Sequence, residues 1–158
     1  KFIGEQLALH KVPGERLVLQ LPESKVFTHL KQAQAFRAAV KQFGVRVALE
    51  QFGTGLNSFQ LMQHFEPAIV KIDRAFIQDL SQNPDNQAKI REFSSKASEM
   101  GAQTIAEFVQ DAGSMTFLFS SGVDFVQGYV IGMPRMHLYL AMAALNQSPP
   151  DFAQQQAG

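Results

Sequence analysis

No cysteine occurs in the 158 residues, which excludes disulfides and thiolate-bound zinc and is compatible with a reducing compartment. A cytoplasmic location is therefore the expectation. An excess of one charge is lacking too, because 14 basic and 14 acidic residues cancel. Duplex nucleic acid generally demands a basic face, so DNA is not an expected partner, and an anionic ligand would need local positive groups instead. No apolar run approaches the roughly 20 residues that span a bilayer, and the sequence as it stands opens on no basic-then-apolar leader. Membrane insertion is not expected, and a soluble protein is the simplest reading. What is present is a 46% hydrophobic content, enough at this length for one packed core and one domain.

Short β-prone runs recur at residues 16–21, 46–52, 68–73, 103–109 and 125–131, separated by helix-like or turn segments. Between the first two, Phe27, Leu30, Gln34 and Ala38 fall at helical spacing towards Val40 and Lys41, and Gly44 stands where one crossover helix should end. Between the third and fourth, Asn83-Pro84-Asp85 starts a helix, Ile90, Phe93, Ala97 and Met100 form its apolar stripe, and Gly101 terminates it. Runs such as Ile69–Ile72 are apolar on both faces, as when helices cover a parallel sheet. The expectation is an α/β fold, either a barrel or a doubly wound sheet. Residues 146–158, with two prolines and three consecutive glutamines, read as a loose tail.

In parallel α/β folds reactive groups collect at the carboxyl ends of the strands. Gln20, Glu50, Lys71, Glu107 and Gln127 each sit within or at the end of a β-prone run, where a polar side chain needs a partner or a ligand. Any one alone is most simply a satisfied polar group, and their joint recurrence points to a shared mouth. For Lys71 the alternative to a functional role is an ion pair with Glu50 or Glu107. Phe108 and Tyr129 read as core residues before stacking platforms. His10, His29, His64 and His137 lack metal-site spacing, no G-x-S-x-G elbow exists, and Phe52-Gly53-Thr54-Gly55 lacks the Lys-Ser/Thr ending of a phosphate loop. Phe65, Met133 and Met136 could face a partner, although packing is their commoner role.

Four stretches, F-G-T-G at Phe52–Gly55, K-I-D at Lys71–Asp73, A-E at Ala106-Glu107 and Q-G-Y at Gln127–Tyr129 with Pro134 beyond, occur in an order and spacing that resemble the EAL domain family from about Arg16 to Met136. The resemblance implies a modified TIM (β/α)8 barrel, of which residues 1–145 would be the C-terminal portion, without the E-A-L signature and early strands. Such barrels take roughly 200 to 400 residues. The chain is therefore expected to be a truncation or one part of a larger molecule, since isolated sheet edges and an unfilled barrel invite aggregation.

The family's phosphodiesterases hydrolyse cyclic di-GMP with divalent metals, and the resemblance lets each role be checked. Gln20 stands where the family has a ligating glutamate in E-x-T-E, and Glu50 and Gln51 stand at its Asp-Asp pair. An amide brings no charge, and Glu50's extra methylene moves its carboxylate by about a bond length against a tolerance of roughly 0.2 Å. Glu107 matches a family glutamate, but Gln110 replaces the second acid of A-E-G-V-E. Lys71 matches the lysine beside the nucleophilic water and Asp73 the K-I-D aspartate. Without metal, water near pKa about 15.7 stays water. These six positions read as vestigial, with no metal expected and hydrolysis lost. Phosphate contacts, stacking and base-edge hydrogen bonds need no metal, so Glu107, Phe108, Gln127, Gly128 and Pro134 are candidate cyclic di-GMP contacts. The resemblance is nearest to the FimX-type subgroup, partly through residues 29–36. It implies a bacterial receptor that signals to a PilZ-domain partner in type IV pilus and twitching-motility control, with a homodimer as a candidate assembly. The alternatives are a weak phosphodiesterase that uses Glu50, Glu107, Asp73 and Lys71 with one metal, or a nucleotide-independent interaction scaffold.

Overall fold

In the computed structural model, which describes residues 1–132, the β-prone runs become five parallel strands: β1 (Val18–Pro22), β2 (Arg46–Phe52), β3 (Ile69–Ile72), β4 (Gln103–Ala106) and β5 (Phe125–Val126). They lie in the order β1-β2-β3-β4-β5. Among the described residues the order does not reverse, so they show no switch point of a doubly wound sheet and each strand is laid beside the last as in a barrel wall. Of the two expected architectures, the sheet has the barrel type of winding.

Among the described residues six helices precede or join the strands: α1 (Phe2–Leu9) before β1, α2 (Glu23–Thr28) and α3 (Leu30–Lys41) before β2, α4 (Ser58–Phe65) before β3, α5 (Pro84–Glu99) before β4, and α6 (Ala112–Ser120) before β5. All four residues of β3 are buried, the apolar Ile69, Val70 and Ile72 as a covered parallel strand requires and Lys71 along with them. Under the helices, Phe52 meets Phe59 and Phe93 edge-on at 5.9 and 5.2 Å between ring centroids, and Phe76 meets Phe93 at 5.1 Å. Phe65 is fully buried in the same core and offers nothing to a partner. Helix α5 starts as its sequence requires. Asn83 accepts the backbone N–H of Asn86 at 3.1 Å, Pro84 occupies the first turn, and Gly101 follows the end at φ +71°.

Several expectations are corrected. The single helix from Phe27 to Lys41 is two, broken at His29, and Phe27 is exposed because α2 buries Val26 instead. Met100, assigned to the α5 stripe, caps that helix and is exposed. Arg16 belongs to a 3-10 turn, so β1 starts at Val18. The 103–109 run leaves the sheet after Ala106, and Phe108 takes φ +59°. The 125–131 run is strand for two residues and then turns back, with Ile131 and Gly132 both donating to the Gly128 carbonyl. Residues 146–158, Met133, Pro134, Met136 and His137 lie outside the described residues.

The Phe cluster fixes the neighbouring Gly53, which has φ +97° and whose added Cβ would lie 2.7 Å from both Phe76 and Phe93. Gly53→Ala should therefore cost about 3 kcal/mol through overpacking and backbone strain. Chemical denaturation checks this, and a loss below about 1 kcal/mol would show that the rings yield.

Candidate functional site

The mouth of the sheet is shaped by one irregularity in β2. Leu49 pairs with Val70 and Phe52 with Ile72, so Glu50 and Gln51 together stand opposite Lys71. Adjacent residues of a regular strand face opposite ways, and the extra residue of a bulge lets both serve one side. Gln51 takes φ +56°, and the Thr54 hydroxyl donates to its carbonyl at 2.9 Å. Both side chains line one cavity of about 660 Å³ with Asp73, Arg74, Glu107 and Phe108.

The next loop is built around a carboxylate. Glu23, 2% exposed, accepts the Gly53 N–H through Oε2 at 2.9 Å, and its Oε1 lies 2.6 Å from where a Cβ on Gly55 would stand. Glu23 thus explains both glycines of F-G-T-G: one donates to it and the other leaves it room. The sequence reading passed it over as a site residue. Its signal was its place as the final acid of the Gln20–Glu23 stretch.

At the centre of the mouth the Lys71 side chain is 8% exposed. Its ammonium lies 2.6 Å from Glu107 Oε1 and 3.5 Å from Glu50 Oε1, and it donates to Gln20 Oε1 at 2.5 Å. The ion-pair expectation holds with both carboxylates rather than one. Four of the five polar residues expected at the mouth are thereby brought together, from β1, β2, β3 and the end of β4.

The fifth is not. Gln127 lies beyond β5 with its side chain exposed, and its link to the site is through the backbone. Its N–H donates to the Ala106 carbonyl at 2.8 Å and its carbonyl accepts from Val109 at 3.1 Å, which bind Q-G-Y to the segment carrying Glu107 and Phe108. Gly128 is packed against that segment so closely that an added Cβ would overlap Val109. Asp73 lines the cavity, but its carboxylate accepts from the Ala75 N–H at 2.9 Å and caps the turn after β3 instead of joining Lys71. Phe108 and Tyr129 are 51% and 56% exposed, so the core reading of both is corrected. Arg74, which the sequence reading did not single out, holds its guanidinium 5.8 Å from the Phe108 centroid.

A second cleft, of about 830 Å³, adjoins the first across Arg74 and Phe108 and includes Ser81, Gln110 and Asp111. Asp111 caps α6, its carboxylate accepting the Ser114 backbone N–H at 2.8 Å. Each cleft is of the size that small-molecule sites occupy.

Residues 1–134 match the EAL domain family. The chain belongs to that family. The match extends further towards the N-terminus than the motifs alone suggested. The FimX EAL domain of Xanthomonas citri, solved in complex with cyclic di-GMP, is 55% identical with a TM-score of 0.80, over 85% of this chain and 54% of that one. The FimX EAL domain of Pseudomonas aeruginosa bound to cyclic di-GMP is 31% identical with a TM-score of 0.79, over 84% and 55%. The cyclic di-GMP phosphodiesterase PdeF of Escherichia coli is 27% identical over 133 residues, 84% of this chain and 18% of that protein. This chain spans about half the length of those solved EAL domains and under a fifth of that phosphodiesterase.

A phosphodiesterase of the EAL family calls for divalent metal, and the donors that the described residues bring to this mouth do not by themselves fit one. Among the described residues no group of three or more His, Cys, Asp or Glu side chains could hold a metal ion. Gln20 and Gln51 bring amides, and a cation already lies between Glu50 and Glu107. The bulge also fits the family's Asp-Asp pair, because Asp tolerates positive φ better than Gln does.

Lys71→Met would leave two carboxylates without their counter-ion, and the fold should lose about 3 kcal/mol in a denaturation titration, the lower end for a broken buried pair because Glu50 is partly exposed. An unchanged stability would show that solvent already compensates these charges. Gly128→Ala should displace the Glu107–Val109 segment, visible as amide shift changes at Glu107 and Phe108; unperturbed resonances there would contradict the coupling.

Proposed function

We propose that residues 1–145 are the C-terminal portion of an EAL-type barrel that binds cyclic di-GMP without hydrolysing it and passes its occupancy to a protein partner. The observation that carries this reading is the Lys71 ammonium among Gln20, Glu50 and Glu107. A two-metal hydrolase uses such oxygens to hold cations that generate hydroxide and polarise the phosphate. Here they satisfy a lysine, and the six positions Gln20, Glu50, Gln51, Lys71, Asp73 and Glu107 are vestiges of that machinery. Binding draws on other groups. Glu107 offers an acceptor to a base edge, half-exposed Phe108 offers a stacking face, and Gln127 and Gly128 supply the loop beside them, with Pro134, outside the described residues, proposed as a further contact. Likeness to two FimX domains solved with cyclic di-GMP supports the ligand. The proposed partner is a PilZ-domain protein acting in type IV pilus control and twitching motility in the bacterial cytoplasm, and the FimX likeness is the support for that.

A second reading, a slow phosphodiesterase, is favoured by the likeness to the Escherichia coli enzyme and by the retained Lys71, Asp73 and Glu107. The two separate on the fate of the ligand. Calorimetric titration of cyclic di-GMP into the full-length protein with Mg²⁺ or Mn²⁺, followed by chromatography, should show saturable heat and intact ligand. Linear dinucleotide that disappears with Lys71→Ala would establish the enzyme, and absence of heat would end the receptor reading.

A further inference from the structure

Resting on the nucleotide reading above, we propose that Arg74 is the group that pairs with a phosphate of the bound nucleotide, beside a base stacked on Phe108. The Arg74–Phe108 pair then separates a phosphorylated purine nucleotide from an uncharged nucleoside. The chain has no net charge, so a dianionic ligand must be met by a local cation. The mouth and its adjoining cleft carry Glu50, Asp73, Glu107, Asp79 and Asp111 against two cations, Lys71 and Arg74. Lys71 is held between two carboxylates and is nearly closed to solvent. Arg74 is exposed and, among the described residues, its guanidinium forms no ion pair.

Its position is as telling as its charge. Arg74 and Phe108 line both clefts and so stand on the partition between them. Phe108 is held at φ +59° with half its surface in solvent, two unfavourable choices for a large apolar residue, and such outliers gather at ligand clamps. A guanidinium presents paired donors that match phosphate oxygens, and it keeps a cation–π contact with the ring beside it. One residue thus places charge next to a stacking face, in a mouth whose other cation is already neutralised.

The test titrates cyclic di-GMP and, separately, guanosine into the full-length protein and its Arg74→Ala and Arg74→Lys variants at two salt concentrations. Arg74→Ala should weaken cyclic di-GMP about 10- to 100-fold, as expected for hydrogen bonds to a charged group, and should lower the salt slope of log Kd by about one. Arg74→Lys should restore the slope but only part of the affinity. Guanosine binding should change much less. Wild-type affinity and slope in Arg74→Ala would overturn the assignment while leaving the nucleotide reading intact. An equal loss for guanosine would overturn it in favour of a role confined to orienting Phe108. Absence of cyclic di-GMP binding by the wild-type protein would remove both.

Discussion

The buried ammonium of Lys71 is the constraint around which the mouth of this sheet is organised. A lysine in the middle of a parallel sheet, covered on both faces, is tolerated only when acceptors surround it, because an unpaired buried charge costs several kcal/mol. Those acceptors come from three other chain segments: Gln20 on β1, Glu50 on β2 and Glu107 just past β4. The carboxyl ends of four successive segments are therefore held in mutual register by one charge.

The surrounding loops answer to the same geometry. The β2 bulge sets Glu50 at the level of Lys71 and turns Gln51 towards the cavity. Beyond it, F-G-T-G bends back over the buried Glu23 carboxylate, with the Phe52, Phe76 and Phe93 rings under Gly53 leaving no room for a side chain. On the far side, Gln127 and Gly128 are joined by backbone hydrogen bonds to the segment of Glu107 and Phe108. Short contacts between backbones fix these loops, so the side chains they carry are presented with little freedom.

Much of this was legible in the sequence because the relevant signals are local. Five apolar runs separated by helix-length segments located each of the five described strands, Asn83-Pro84 located the start of α5, and polar residues ending strands found Gln20, Glu50, Lys71 and Glu107. The rest depends on backbone conformation or distant packing. Nothing in the run Gln103–Val109 announces that Phe108 turns to positive φ and ends the strand early. The apolar residues of α6 ring most of its circumference and leave no stripe to read. Glu23 looks like any acidic residue opening a helix until the F-G-T-G loop folds over it. Arg74 becomes conspicuous only when every neighbouring carboxylate has been placed.

Substitution of the family's ligands and retention of its lysine act together. In the receptor reading proposed above, the amides of Gln20 and Gln51 leave Lys71 as the cation that balances the remaining carboxylates, so that the site would keep its shape for a nucleotide and lose the means to activate water. The direct test is a crystal of the full-length protein with cyclic di-GMP grown in Mn²⁺ and measured at the manganese absorption edge. If Lys71 stands in for the metals, no anomalous peak will lie among Gln20, Glu50 and Glu107, and the Lys71 ammonium will remain bonded to all three. A manganese peak there, with Lys71 displaced, would contradict it.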